Sequence, residues 1–110
     1  KWKMVNHTPG YFDLEFNGGD VIFYFQGKQH GPAYKDVGMN FRMSCITYGN
    51  PKWFDIVTKD VDADTVFNVK KFIYRRYGDT LEIRGFTGDT TRFTSFDRND
   101  TTYTGIFVRE

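Results

Sequence analysis

The chain cannot cross-link itself, because Cys45 is its only cysteine; no internal disulfide forms, and the redox compartment stays open. Histidine is scarce as well. His7 and His30 are the only two, each in a turn-rich segment and neither near a cysteine or acid at metal-ligand spacing. No Gly-x-Ser-x-Gly, Walker loop or paired-cysteine pattern appears, so no catalytic or metal-ligating residue is assigned. The expectation is a non-enzymatic chain without a cofactor. No apolar run approaches the ~20 residues a membrane helix needs, which argues against a membrane span. An excess of one charge is missing too: a net charge of +1 and a pI near 8.0 set up no field that would attract nucleic acid or an anionic membrane. The sequence opens Lys1-Trp2-Lys3, with neither an initiator Met nor a signal-peptide apolar segment, as expected of a processed, trimmed or excised chain.

What the chain has instead is aromatic side chains, 19% of its residues, led by twelve Phe and seven Tyr. A length of 110 residues suits one domain, 1–110, with a single core. The organising stretch is Val69–Phe86, where two runs rich in aromatic and β-branched residues flank Gly78-Asp79, predicting a β-hairpin that turns near Tyr77–Thr80. Leu81 and Ile83 fall on one face and Thr80, Glu82 and Arg84 on the other, the pattern of a strand with one face in a core and one in water. Lys70-Lys71 and Arg75-Arg76 in the first arm read as a solvated face, and Asp55 and Glu82 as outward-facing charges.

The same alternation recurs along the chain. Lys1–Val5 is a short strand. Tyr11–Phe16 and Val21–Gln26 flank Asn17-Gly18-Gly19-Asp20, the strongest hairpin signal because glycine accepts positive φ. Gly27–Gly38 reads as the longest irregular section, which in so small a domain points to a functional or a disordered loop. Strands are then expected over Met39–Thr47, Trp53–Thr58, Thr90–Phe96 and Thr101–Arg109. Cys45 shares a face with Met39, Phe41 and Met43 and reads as a buried small hydrophobe. Asp60, Asp62 and Asp64 resemble the start of a calcium loop, but the glycine and the bidentate glutamate of that motif are absent. Asn6-His7-Thr8 and Asn99-Asp100-Thr101 fit the glycosylation acceptor pattern, which carries meaning only in a secreted chain. About eight or nine regularly spaced strands without a helix predict an all-β, up-and-down antiparallel barrel, since closure removes edges that so aromatic a sheet could not safely expose.

Pro51-Lys52-Trp53-Phe54-Asp55-Ile56, Phe72-Ile73-Tyr74, Gly78-Asp79-Thr80-Leu81, Arg92-Phe93 and Val108-Arg109-Glu110 resemble a group of small bacterial lipocalin-like domains of mostly unassigned function. The resemblance implies a calycin-type barrel in which a first-strand Trp packs under an Arg of the last strand. Trp2 and Arg109 suit that latch, and a guanidinium over an indole face contributes about 0.5–2 kcal/mol.

A barrel of around eight strands either fills with its own side chains or holds one small ligand. The inward candidates are Phe12, Leu14, Phe16, Phe23, Phe25, Phe41, Met43, Phe54, Ile56, Ile73, Leu81, Ile83, Phe93 and Ile106. The functional reading is a pocket for a small apolar ligand, its mouth rimmed by Gly27–Gly38. Phe23, Phe25, Phe41 and Met43 would wall it, and Tyr24, Tyr34 or Arg42 would supply polar contacts. The competing reading is a filled barrel that recognises a protein partner through loops and exposed aromatics. Nucleic-acid stacking is disfavoured, because the aromatic hairpin carries Asp13, Glu15 and Asp20 and no basic residue before Lys28.

Overall fold

The computed structural model describes residues 1–6, 12–47, 52–85, 91–100 and 102–110, and among these every regular element is a β-strand. The strands are β1 (Trp2–Met4), β2 (Asp13–Asn17), β3 (Asp20–Phe25), β4 (Lys28–His30), β5 (Ala33–Asp36), β6 (Met39–Thr47), β7 (Trp53–Asp60), β8 (Thr65–Tyr77), β9 (Thr80–Arg84) and β10 (Thr104–Arg109). They form one antiparallel sheet in the order β4-β3-β2-β1-β10-β9-β8-β7-β6-β5. The sheet closes on itself where Asp20 of β3 pairs with Ser44 of β6. Eight strands, β1–β3 and β6–β10, therefore make a closed up-and-down barrel, and β4 and β5 are additions to it. The architecture is compatible with a calycin-like fold.

Closure rests on few bonds. The Cys45 N–H donates to the Gly19 carbonyl at 2.6 Å, and the Arg42 guanidinium clamps both Asp20 carboxylate oxygens at 3.1 and 2.6 Å. Beyond that seam β3 and β6 diverge. Each takes its own short partner, β4 alongside Phe23–Phe25 and β5 alongside Met39–Arg42. Gly27–Gly38 is thus two ordered strand extensions rather than an irregular loop, since the diverging edges offer ladder groups that must be paired. The β2–β3 turn has Gly18 and Gly19 at φ +57° and +92°, the positive values a two-residue hairpin demands.

Alternation decides what fills the barrel. Leu14, Val21, Phe72, Ile83 and Phe107 are fully buried and meet near its middle with Met4, Met43 and Ile56. Each large side chain so buried contributes roughly 1.5–3 kcal/mol. Three expected inward residues lie elsewhere. Ile73 is buried on the outer face, because its neighbours Phe72 and Tyr74 take the interior, and Ile106 is displaced outward in the same way by Gly105 and Phe107. Phe93 sits outside the barrel, beneath the Arg84 guanidinium at 4.0 Å and against the Tyr103 ring at 5.7 Å.

Residues 91–96 form no strand. β9 and β10 pair directly, from Thr104↔Arg84 to Val108↔Thr80, and leave no ladder position between them. The connecting segment instead runs over the outer wall and is pinned by side chains. Arg92 reaches Asp55 at 2.7 Å, Arg98 reaches Glu82 at 3.1 Å, and Arg84 holds Asp100 at 3.0 Å. This cover corrects the expectation for Asp55 and Glu82: both face outward, but neither is in water. Arg75, Tyr77 and Arg98 together leave the Glu82 side chain 0% exposed.

Burial works to raise the Asp100 carboxyl, but the Arg84 guanidinium and the Tyr103 and Thr102 N–H groups hold it below the ordinary carboxylate range. A depressed folded value means that Asp100 stabilises the fold fully above its unfolded value of about 4 and loses that effect as pH falls through the folded value. In urea titrations Asp100→Asn therefore destabilises the protein near neutral pH, and its gap from the parent narrows below about pH 4. A gap that stays constant with pH would remove Asp100 from the acid response.

Candidate functional site

The packed middle layer leaves a chamber at each end of the barrel. The first lies at the end where β3 and β6 diverge and has a volume of about 360 Å³. Its walls are aromatic: Phe12, Phe23, Phe25, Tyr34, Phe67 and Phe72. Period-two alternation delivers them, because Phe12 continues the inward face of Leu14, and Phe23 and Phe25 continue that of Val21. The rings touch in a chain. Phe12 meets Phe23 edge-on at 5.3 Å, Phe23 stacks on Phe25 at 6.0 Å, and His30 lies 4.5 Å from Tyr34. Polar groups are sparse and placed among the rings: His30, Thr58, Asn68 and Lys70. Burial, and secondarily Asp36, raises the Tyr34 hydroxyl, while Thr58 beside it works the other way; Tyr34 stays neutral.

The second chamber, about 420 Å³, opens at the end that carries Trp2 and the β2–β3 and β8–β9 turns. Phe16, Phe54, Leu81 and Ile83 line its apolar part, with Cys45, Thr47 and Tyr74 on the wall. Arg76 and Trp2 stand at its rim. Burial and the nearby Asp55 push the Cys45 thiol up, so it remains protonated and poorly nucleophilic.

Of the ligand-site residues expected from sequence, Phe23, Phe25, Tyr34 and Met43 line the first chamber together. Phe41 is buried beside it, between the Tyr34 ring at 5.3 Å and the Phe67 ring at 4.8 Å. Tyr24 and Arg42 do not join them. Each sits between two inward residues and so faces out, Tyr24 donating to Glu15 at 2.7 Å and Arg42 clamping Asp20. Trp2 and Arg109 are register partners, with the guanidinium 5.6 Å from the indole centroid, and Arg76 approaches the same ring at 5.2 Å.

Sequence reasoning missed Lys70 and Arg76. The Lys-Lys and Arg-Arg pairs are split by the strand: Lys71 and Arg75 face out, while Lys70 and Arg76 line the two chambers. The signal was present, since positions 70, 72, 74 and 76 share one face of β8 with the fully buried Phe72. His7 lies outside the described residues. The Asp60–Asp64 segment is a turn closed by its own bonds. Asp60 accepts the N–H groups of Asp62 and Ala63, and Asp64 pairs with Lys59. Among the described residues no cluster of His, Cys, Asp or Glu is arranged to hold a metal ion. The Asn6 amide donates to the Thr104 carbonyl at 2.8 Å and accepts from Ile106 N–H at 2.9 Å, tying the chain beyond β1 to β10. No helix is long and apolar enough to cross a membrane.

Comparison of the chain with protein-family models, with curated proteins and with solved structures finds no match. The geometry of the two chambers is therefore what a functional reading has to stand on.

Proposed function

We propose that the protein is a lipocalin-like, non-enzymatic binder of a small apolar ligand, held in the chamber where β3 and β6 diverge. The observation that carries this reading is the aromatic wall: six rings from four stretches of the chain surround about 360 Å³ that the packed middle layer leaves unfilled. Pockets of that size, mostly apolar with a few polar groups, suit small molecules. Ring faces favour a flat, unsaturated ligand, and Tyr34, Thr58, Asn68 and His30 supply orienting hydrogen bonds.

Phe25 and Phe67 are the residues to change, because they are 43% and 61% exposed and their loss spares the packed layer. Replacing both with serine should weaken uptake of a neutral environment-sensitive aromatic dye by about tenfold or more, at 0.5–1.5 kcal/mol per ring contact. Stability should fall by about 1–3 kcal/mol, because Phe25 and Phe67 also lose their ring contacts with Phe12, Phe23 and Phe41. Native mass spectrometry before and after denaturing extraction should also show a discrete small molecule. Bare protein together with unchanged dye affinity would overturn the reading.

One further feature favours the alternative of a protein-interaction module. Val37, Val61, Val66 and Phe67 are all more than half exposed around this same end. A partner seated there would protect them in footprinting without any small molecule in the extract.

A further inference from the structure

The opposite chamber differs in one respect that the aromatic one does not share. Arg76 stands at its rim with its guanidinium 5.2 Å from the Trp2 indole centroid, and the guanidinium of Arg109, the register partner of Trp2, lies 5.6 Å from the same ring. The other five arginines, all among the described residues, already serve a carboxylate: Arg42 with Asp20, Arg75 and Arg98 with Glu82, Arg84 with Asp100, Arg92 with Asp55. Arg76 and Arg109 do not. Among the described residues the Arg76 side chain donates only a long bond of 3.3 Å to the Gly78 carbonyl, and Arg109 bonds through its backbone, N–H to the Asp79 carbonyl at 2.9 Å. Asp79 and Glu110 share this end of the molecule, yet neither is ion-paired to either guanidinium. Below the two cations the chamber wall turns apolar, through Phe16, Phe54, Leu81 and Ile83, with no acidic side chain along it.

We infer that this second chamber is a binding site for an amphipathic organic carboxylate, its head held by Arg76 and Arg109 and its apolar body inserted toward Phe54 and Leu81. Guanidinium forks match a carboxylate in geometry and in charge, and a charge-assisted bond of that kind is about twice as strong as a neutral one. Both guanidinium groups lie within cation–π reach of the Trp2 ring, which gathers the two cations at this end of the barrel. Size limits the body. At about 30 Å³ per non-hydrogen atom, the share a water molecule takes in the liquid, 420 Å³ admits on the order of a dozen atoms. That suits a medium-chain or aryl-substituted acid and excludes full insertion of a long-chain one. The site does not depend on the aromatic chamber being occupied, because the packed layer of Phe72, Ile83 and Phe107 lies between them.

Decanoate is the probe, with decanol as its uncharged counterpart. Calorimetry should give decanoate an affinity at least tenfold above that of decanol at low salt. The R76Q/R109Q variant should weaken decanoate binding until the two lie within about twofold of each other. Cys45 lines this chamber and is the only cysteine, so its alkylation, followed by mass, reports occupancy of this end alone. Decanoate should slow that alkylation several-fold in the parent and not in R76Q/R109Q. Equal affinity for acid and alcohol, or no response to the double substitution, would overturn the assignment. Decanoate binding that is lost in the Phe25→Ser/Phe67→Ser variant with Cys45 unprotected would also overturn it, and would place the acid in the aromatic chamber instead.

Discussion

Arg92→Met is expected to lower the unfolding free energy by about 3–5 kcal/mol, the usual cost of removing one partner from a buried ion pair. The Arg92 guanidinium reaches Asp55 at 2.7 Å, the Phe72 carbonyl at 2.6 Å and the Phe54 carbonyl at 3.2 Å, and lies 4.6 Å from the Trp53 ring. Its own side chain is 14% exposed and that of Asp55 only 3%, so water cannot replace what is lost. Lysine would not substitute, because one ammonium cannot serve acceptors spread around a planar fork. Equilibrium urea unfolding of Arg92→Met, Asp55→Leu and the double variant separates the contributions. The double variant should be more stable than Arg92→Met alone, since an apolar pair leaves no uncompensated charge. A loss below about 1 kcal/mol in Arg92→Met would mean that the outer segment is held by something else. Glu82 makes a useful contrast. It is fully buried, but Arg75 and Arg98 are 43% and 50% exposed, so on its removal both cations can return to water.

The second large effect is steric. Gly85→Ala should cost about 2–3 kcal/mol, at the upper end of what overpacking does to a well-packed core. A Cβ built at Gly85 would lie 2.8 Å from Cε1 of Phe72 and 2.9 Å from the Lys71 carbonyl oxygen. Neither can yield easily. Phe72 is fully buried and stacked on Phe54 at 4.9 Å, and the carbonyl belongs to the backbone of β8. Gly78 is the control. It has open space around its Cβ position and φ +60°, so alanine there meets only the left-handed backbone penalty, about 1 kcal/mol. Unfolding midpoints of the two variants, measured side by side, test whether close approach rather than turn geometry makes Gly85 the critical glycine. Equal losses would refute that.

Much of the barrel was legible because its strands obey the period of two. The Asn17–Asp20 hairpin formed as expected, as did the turn at Gly78-Asp79 and the inward faces of Leu14, Phe23, Phe25, Met43 and Ile56. The same rule, applied strictly, would have placed Tyr24 and Arg42 outside and Lys70 and Arg76 within. Polar character or charge points the other way at those four positions, and parity prevails because a strand in a closed barrel has no freedom to rotate one side chain out of turn. The stretch expected as a strand at Thr90–Phe96, described here over residues 91–96, was harder to read. Its aromatic residues suggested a strand, but a ladder position depends on which neighbours are already paired, and β9 and β10 had taken each other.

The sequence by itself determined an all-β chain, the position of its tight turns and the alternating faces from which a closed barrel is built. These follow from local rules, residue by residue. Only the tertiary structure decided that Asp55 and Glu82 are buried, that Arg92 locks the outer wall, and that a packed middle layer divides the interior into an aromatic chamber and a cationic one. Burial and charge pairing are properties of what lies across the fold. Arg92 is 37 residues from Asp55, and no local pattern reports a partner at that distance.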